Sequence, residues 1–262
     1  MVKKDVKLVA VDMDGTLLDS KKNPPEDFSA WVREHEAVQT VLASGRQYAT
    51  LRDMFPELAD RLVYVADNGG FVFRQGEMIY SNEMSAENIR WCIEHLDHRE
   101  GVHLILCGAK AAYMKHAKKL VEDNGHLYYV SLEFVDKLED CIGKDCIAKV
   151  AAFIEEYKAE EIFHALPALP EELEPVLSGD SWIDIANKSV SKGSAMQAIQ
   201  EELHISREDS MAFGDYLNDY TLMQSCEESY AMENAHPDLK AIAKHIADSN
   251  DEDGVMKILR QI

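Results

Sequence analysis

The stretch VKLVAVDMDGTLLDS, Val6 to Ser20, opens as an apolar strand and then sets three carboxylates, Asp12, Asp14 and Asp19, within eight residues. A strand that buries its body can still offer its end. In open parallel sheets, ligands bind beyond the carboxyl ends of the strands. Three more runs end in polar chemistry: VLAS at Ser44, VYVAD at Asp67–Asn68 and MAFGD at Asp215. If these strands lie side by side, their ends share one edge of a sheet.

Helical patterns separate the strands. PEDFSAWVREHE, with proline near its first turn, follows the first strand, and RQYATLRDMF follows VQTVLAS. After RLVYVAD, NGG turns the chain into a hairpin of FVFRQ and EMIYS. This βαβαβ series predicts a parallel, Rossmann-like sheet with helices on both faces. From about Asn82 the rhythm changes to α+β with antiparallel pairing. It includes a helix at SAENIRWCIEHLDHRE, paired strands at VHLILCG and AAYMKH, and a helix at AKKLVEDNG. An extended HLYYVSLEF and a closing hairpin of EPVLSG and WIDIAN belong to the same segment. After Asn187 the α/β pattern resumes with SKGSAMQAIQEELH, whose expected N-cap is Ser191. The domain reading is therefore a discontinuous α/β core, 1–81 and 188–262, with an α+β domain, 82–187, inserted into it.

The 262 residues carry a formal net charge of -21, which repels nucleic-acid backbones and anionic lipid surfaces. Neither nucleic acid nor membrane is an expected partner. A small anionic substrate remains compatible, because a bound cation inverts the local field. No apolar run is long enough to span a bilayer, and MVKKDVKLVAV lacks a cleavage site, so the expected location is the cytoplasm. The five scattered cysteines read as reduced thiols, and CIGKDC lacks the second pair of a zinc site.

Asp12, Asp14, Asp215 and Asp219 are hard oxygen ligands with no histidine or cysteine beside them, a set that favours Mg2+. One carboxylate can act as nucleophile through an acyl phosphate, and another two residues on can move the proton. Gly15 permits close approach of backbone to an anion. Ser44 supplies a hydroxyl and Lys192 a cation for phosphoryl oxygens.

Together, DMDGTLLD, LASGR at Leu42–Arg46, Lys192 in SKG, and GDYLNDY at Gly214–Tyr220 resemble the four motifs of the haloacid dehalogenase superfamily, in order. The inserted segment resembles the type IIB cap of the Cof-like subfamily, as do ADNGG, AMENAHPDLKAIA and DSNDEDGV. The resemblance implies Asp12 as nucleophile and Mg2+ ligand, and Asp14 as general acid/base and backbone ligand. It implies Asp215 as metal ligand, and Asn218 and Asp219 as residues that orient Lys192 and metal-bound water. Ser44, Gly45, Lys192 and Asn218 would hold the phosphoryl group. Arg46 and Asn68 are possible substrate contacts; the alternatives are a core-to-cap bridge for Arg46 and a turn role for Asn68. Tyr216 stands where the family often has glycine.

The expected activity is an Mg2+-dependent phosphatase of small phosphorylated metabolites, with sugar phosphates at the head of the class. The alternatives are a sugar phosphomutase or a non-catalytic phospholigand-binding regulator. The cap is expected to move over the site about junctions near Asn82 and Asn187.

Overall fold

The computed structural model describes Lys3 and residues 5–262. Met1, Val2 and Lys4, part of the stretch read above for a targeting signal, lie outside the described residues. The chain divides into two compact units: one runs to Tyr80 and resumes at Ser191–Ile262, and the other is Ser81–Val190.

The first unit begins with β1 (Leu8–Asp12), α1 (Phe28–Glu34), β2 (Gln39–Ala43), α2 (Tyr48–Met54), β3 (Leu62–Ala66), β4 (Phe71–Arg74) and β5 (Glu77–Ser81). The second unit holds α3 (Ala86–Leu96), β6 (Val102–Gly108), β7 (Ala112–Lys115), α4 (Lys119–Tyr128) and β8 (Leu132–Val135). It continues with β9 (Ile147–Ile154), α5 (Ala159–His164), β10 (Leu173–Leu177) and β11 (Trp182–Asn187). The first unit resumes with α6 (Lys192–Leu203), β12 (Ser210–Gly214), α7 (Tyr220–Gln224) and β13 (Glu228–Met232). It ends with α8 (Pro237–Ile242), β14 (His245–Ala247) and α9 (Gly254–Leu259).

The first unit's sheet has the order β14-β13-β12-β1-β2-β3-β4-β5. The ladders from β14 to β3 are parallel and β3–β4 is antiparallel. Every residue of β1, β3, β12 and β13 is buried, as strands covered on both faces must be. Register decides the site. Asp12 is level with Ala43, Ala43 with Val65, and Val11 with Phe213. The residues just past these positions are Ser44, Ala66 and Gly214, followed by Asp67 and Asp215. The four polar strand ends therefore share one edge, as their sequence implied.

The second unit's sheet, β10-β11-β9-β6-β7-β8, is antiparallel except for β7–β8. Ile89, Cys92, Ile93 and Leu96 of α3 and Ala159 of α5 pack with Leu104, Leu106, Val150 and Ala152. Val121 of α4 packs with Ile105, Met114, Ala151 and Phe153 in a separate cluster. The fold class is thus the expected α/β parallel sheet with an α+β insertion.

Two local expectations are corrected. His126–Tyr128, expected to be extended, belong to α4. Gly125 does not stop the helix: a Cβ there would lie 2.9 Å from Leu132 Cδ2 and 3.1 Å from Met114 sulfur. It is small because β7 and β8 come close. Similarly, Pro25 precedes α1, which starts only at Phe28, because Pro25–Asp27 form a turn closed by Phe28 N–H donating to the Pro25 carbonyl. No described helix is long and apolar enough to cross a membrane.

Candidate active site

Lys192 lies at the first position of α6, is wholly buried, and is the hub of the strand-end edge. Its Nζ donates to Asp12 Oδ1 at 2.5 Å and to Asp219 Oδ1 at 2.6 Å. The helix starts there because Ser191 caps it, accepting from Ser194 N–H in a capping box. Burial works against the ammonium charge, but the two carboxylates outweigh it and hold Lys192 above the ordinary lysine range.

Two carboxylates on one ammonium leave an excess negative charge. Burial, followed by the field of Asp219, pushes the Asp12 carboxyl up to about 7 despite Lys192. Asp215 is pushed up to about 6 by burial and then by Asp219. Asp219 is fully committed: its second oxygen accepts from the N–H groups of Asp215 at 2.9 Å and Tyr216 at 3.3 Å. It thereby braces the loop that presents Asp215. One carboxylate oxygen from each of Asp12, Asp215 and Asp219 lies within 4.8 Å of the others. This all-oxygen set, short of positive charge, fits a hard divalent cation. With Asp219 spent on Lys192 and two amides, Asp12 and Asp215 are the carboxylates able to hold one.

Asp14 faces elsewhere. Arg46 grips it with two hydrogen bonds of 2.7 Å, and Lys22 donates at 2.8 Å. Burial raises its pKa, but these cations outweigh that and hold Asp14 below the usual carboxylate range. Its side chain is therefore not among the clustered carboxylates. Ser44 is buried, and its Oγ accepts from Arg46 N–H at 3.2 Å.

Asn68 ties three loops together. Its N–H donates to the Ser44 carbonyl, its Oδ1 accepts from Asn218 Nδ2 at 3.0 Å, and its amide would lie tightly, at 3.1 Å, against a Cβ at Gly45. Asn218 turns to Asn68, whereas Lys192 Nζ donates to Asp12 and Asp219. The resemblance implied that Asn218 orients Lys192, but the turn at Leu217–Asp219 points neighbouring side chains in different directions.

Gly15, read from the sequence as a place of close approach, is at φ +86° and has Asp215 Oδ2 2.3 Å from where a Cβ would sit. Other supports escaped sequence reading. Asn234 Nδ2 donates to the Gly15 carbonyl at 2.8 Å, and Asn250 Nδ2 donates to that of Leu18 at 2.8 Å. The only signal for these asparagines was their place in AMENAHPD and DSNDEDG. Lys22 had no signal, because a contact across a loop has no periodicity. Gly69, at φ +105°, faces the Ser191 carbonyl at 2.1 Å from its would-be Cβ, so the DNGG loop presses on the peptide that launches Lys192.

This fold and site define a class. Residues 9–259 match the model of the haloacid dehalogenase-like hydrolase family, and the chain belongs to that family. It is 32% identical over 262 residues to the 5-amino-6-(5-phospho-D-ribitylamino)uracil phosphatase YbjI of Escherichia coli K12, spanning 98% of this chain and 96% of that protein. It is 25% identical to the Bacillus subtilis protein YcsE, which bears the same phosphatase name, over 98% of this chain and 95% of that one. Its fold matches that of the subclass IIB sugar phosphatase BT4131 with a TM-score of 0.75 at 23% identity, covering 98% of both chains. The protein is a hydrolase of the phosphatase type.

Proposed function

We propose that the protein is an Mg2+-dependent phosphomonoesterase that releases phosphate from a small phosphorylated polyol or sugar through an aspartyl-phosphate. The observation that carries this reading is the buried Asp12–Lys192–Asp219 triad with Asp215 beside it. Asp12 is the nucleophile: its free oxygen attacks phosphorus while Lys192 holds the other and screens the charge of the incoming phosphoryl oxygens. Ser44 Oγ and the N–H groups of its turn bind those oxygens. Asp14 handles the proton, giving it to the leaving oxygen and later taking one from the attacking water. To donate, it must first leave Arg46 and Lys22 and take up a proton from solvent, so arrival of a phosphoryl group that competes for Arg46 supports its release. Mg2+, held by Asp12, Asp215 and the Asp14 backbone, would neutralise the phosphoryl group and the excess carboxylate charge. Residues 82–187 serve as the cap.

Water is the acceptor in this reading. A mutase must regrip a bisphosphate, and the segment from Asn82 to Asn187 has two arginines, Arg90 and Arg99. Both donate to backbone carbonyls of their own unit. The relative YbjI is named for a uracil that carries a phosphoribitylamino group, which supports a phosphorylated polyol chain borne on a ring as a substrate here. The five scattered cysteines, read as reduced thiols, support action in the reducing cytoplasm.

The test is phosphate release from a panel of polyol, sugar and nucleotide phosphates. Turnover should require Mg2+ and vanish in Asp12→Asn. Equal rates in excess EDTA would overturn the metal role, and full activity in Asp12→Asn would overturn the nucleophile.

A further inference from the structure

Lys22 is the second cation on Asp14, and the loop beneath it is built more firmly than an exposed lysine requires. Its Nζ donates to Asp14 Oδ1 at 2.8 Å, the oxygen that also accepts from Arg46 Nη2, while Oδ2 accepts from Arg46 Nε. The Lys22 side chain is 59% exposed, and a lysine–carboxylate pair in such a place ordinarily contributes little to stability. This pair, however, has a mount. Asp19 closes the turn Asp19–Asn23. Its N–H donates to the Asn23 carbonyl at 3.0 Å, its carbonyl accepts from Lys22 N–H at 2.9 Å, and its Oδ1 accepts from the N–H groups of Lys21 and Asn23. Asp251, from near the end of the chain, accepts from the Ser20 N–H and hydroxyl at 2.7 and 2.6 Å. Within this braced turn Lys22 takes the left-handed conformation, φ +68°, which a residue with a long side chain keeps only where its surroundings impose it.

The two cations on Asp14 are held in different ways. Arg46 belongs to the Ser44 turn, where its own N–H donates to Ser44 Oγ, so a phosphoryl group bound at Ser44 competes for it. Lys22 comes from a separate loop fixed by Asp19 and Asp251. When Arg46 is drawn away, Lys22 still holds Oδ1. Without it, the freed carboxylate, two residues from Asp12, would turn toward the cation-binding pair. Its charge already joins burial and Asp219 in raising the Asp215 carboxyl. We infer that Lys22 is a positioning residue for the general acid: it keeps the Asp14 carboxyl turned from Asp12 and Asp215 after Arg46 lets go, and is the last contact released before the proton moves. This deepens the phosphatase reading and rests on it for the role of Asp14.

The test uses two kinds of ester. The leaving oxygen of an alkyl phosphate needs a proton from Asp14, whereas p-nitrophenolate leaves without one. The constant kcat/KM covers the steps up to departure of the leaving group, so it separates this difference from hydrolysis of the aspartyl-phosphate. The ratio to follow is kcat/KM for the fastest ester of the polyol, sugar and nucleotide panel over that for p-nitrophenyl phosphate. In Lys22→Met it should fall about tenfold, a part of what a well-placed general acid supplies. Lys22→Arg should restore it. Lys21→Met, which removes the same charge from the same turn, should leave the ratio at its wild-type value. In Asp14→Asn the ratio should already be low, and adding Lys22→Met should lower it no further, because a residue that acts through Asp14 then has nothing to position. An unchanged ratio in Lys22→Met, including equal losses on both esters, would overturn the role. So would a Lys22→Met effect that persists in Asp14→Asn. A wild type that hydrolyses no alkyl ester would overturn the phosphatase reading, and the role of Lys22 with it.

Discussion

Removing the Lys192 ammonium strands two carboxylates in a place closed to solvent. Asp219 is wholly buried and Asp12 nearly so. Breaking a buried ion pair by deleting one partner costs about 3–5 kcal/mol, most of it from the uncompensated charge left behind. Lys192→Met should therefore lose stability of that order in EDTA, measured by urea unfolding, and its kcat should fall far more than its KM rises. Asp12→Asn should behave in the opposite way. The triad of one lysine and two carboxylates is overcharged, so an amide at Asp12 relieves it. Its turnover should vanish while its metal-free unfolding midpoint stays at or above wild type. A midpoint well below wild type would mean that the Asp12 charge holds the fold together, contrary to its raised pKa.

The DNGG turn after β3 works as a spacer between the Ser44 turn and the start of α6. Three successive residues, Asp67, Asn68 and Gly69, have positive φ, a costly run that persists only where packing enforces it. Gly69→Ala puts a methyl group against the Ser191 carbonyl and must move the first turn of α6, and Lys192 with it. Gly76, in the β4–β5 hairpin at φ +82°, has nothing within 4 Å of its would-be Cβ. Gly76→Ala then meets only the left-handed penalty, about 1–2 kcal/mol. Thermal melts and phosphate-release rates should separate the two: Gly76→Ala loses stability and keeps kcat, whereas Gly69→Ala loses both. Unchanged kcat in folded Gly69→Ala would show that the loop does not position Lys192.

Across the whole molecule, the raised acids make metal-free stability depend on pH. Asp12 and Asp215 have folded pKa values of about 7 and about 6, above the ordinary aspartate value of about 4. Their contribution is therefore fully present below pH ~4 and is lost as pH rises through 6 and 7. A cation bound to the ionised pair reverses that loss and must compete with protons for the same oxygens. The rise in melting temperature caused by Mg2+, relative to EDTA, should be small at pH 5 and large at pH 8. At a hundred times Kd it corresponds to about 2.7 kcal/mol. A metal-induced shift that does not grow with pH would exclude this pair as the cation site.

The sequence by itself determined the alternation of strands and helices, the change of rhythm near Asn82 and Asn187, and the polar residues at the strand ends. These are local patterns: an apolar run, a cap serine, and acids where a strand stops. Parallel pairing then put the ends of β12, β1, β2 and β3 on one edge, so Asp215, Asp12, Ser44 and Asp67 met there. Tertiary structure decided what each acid does with its neighbours. Asp14 and Asp12 are two residues apart, yet one is held by Arg46 and Lys22 and the other by Lys192, 180 positions away in the chain. Asp219, expected to orient Lys192, does pair with it and also braces the Asp215 loop through two backbone N–H groups. The helix read as AKKLVEDNG continues through His126–Tyr128, and Gly125 within it is clearance for Leu132 and Met114. Each of these outcomes depends on a side-chain direction or a close approach between distant segments, set by packing and charge balance in three dimensions, which spacing along a chain does not encode.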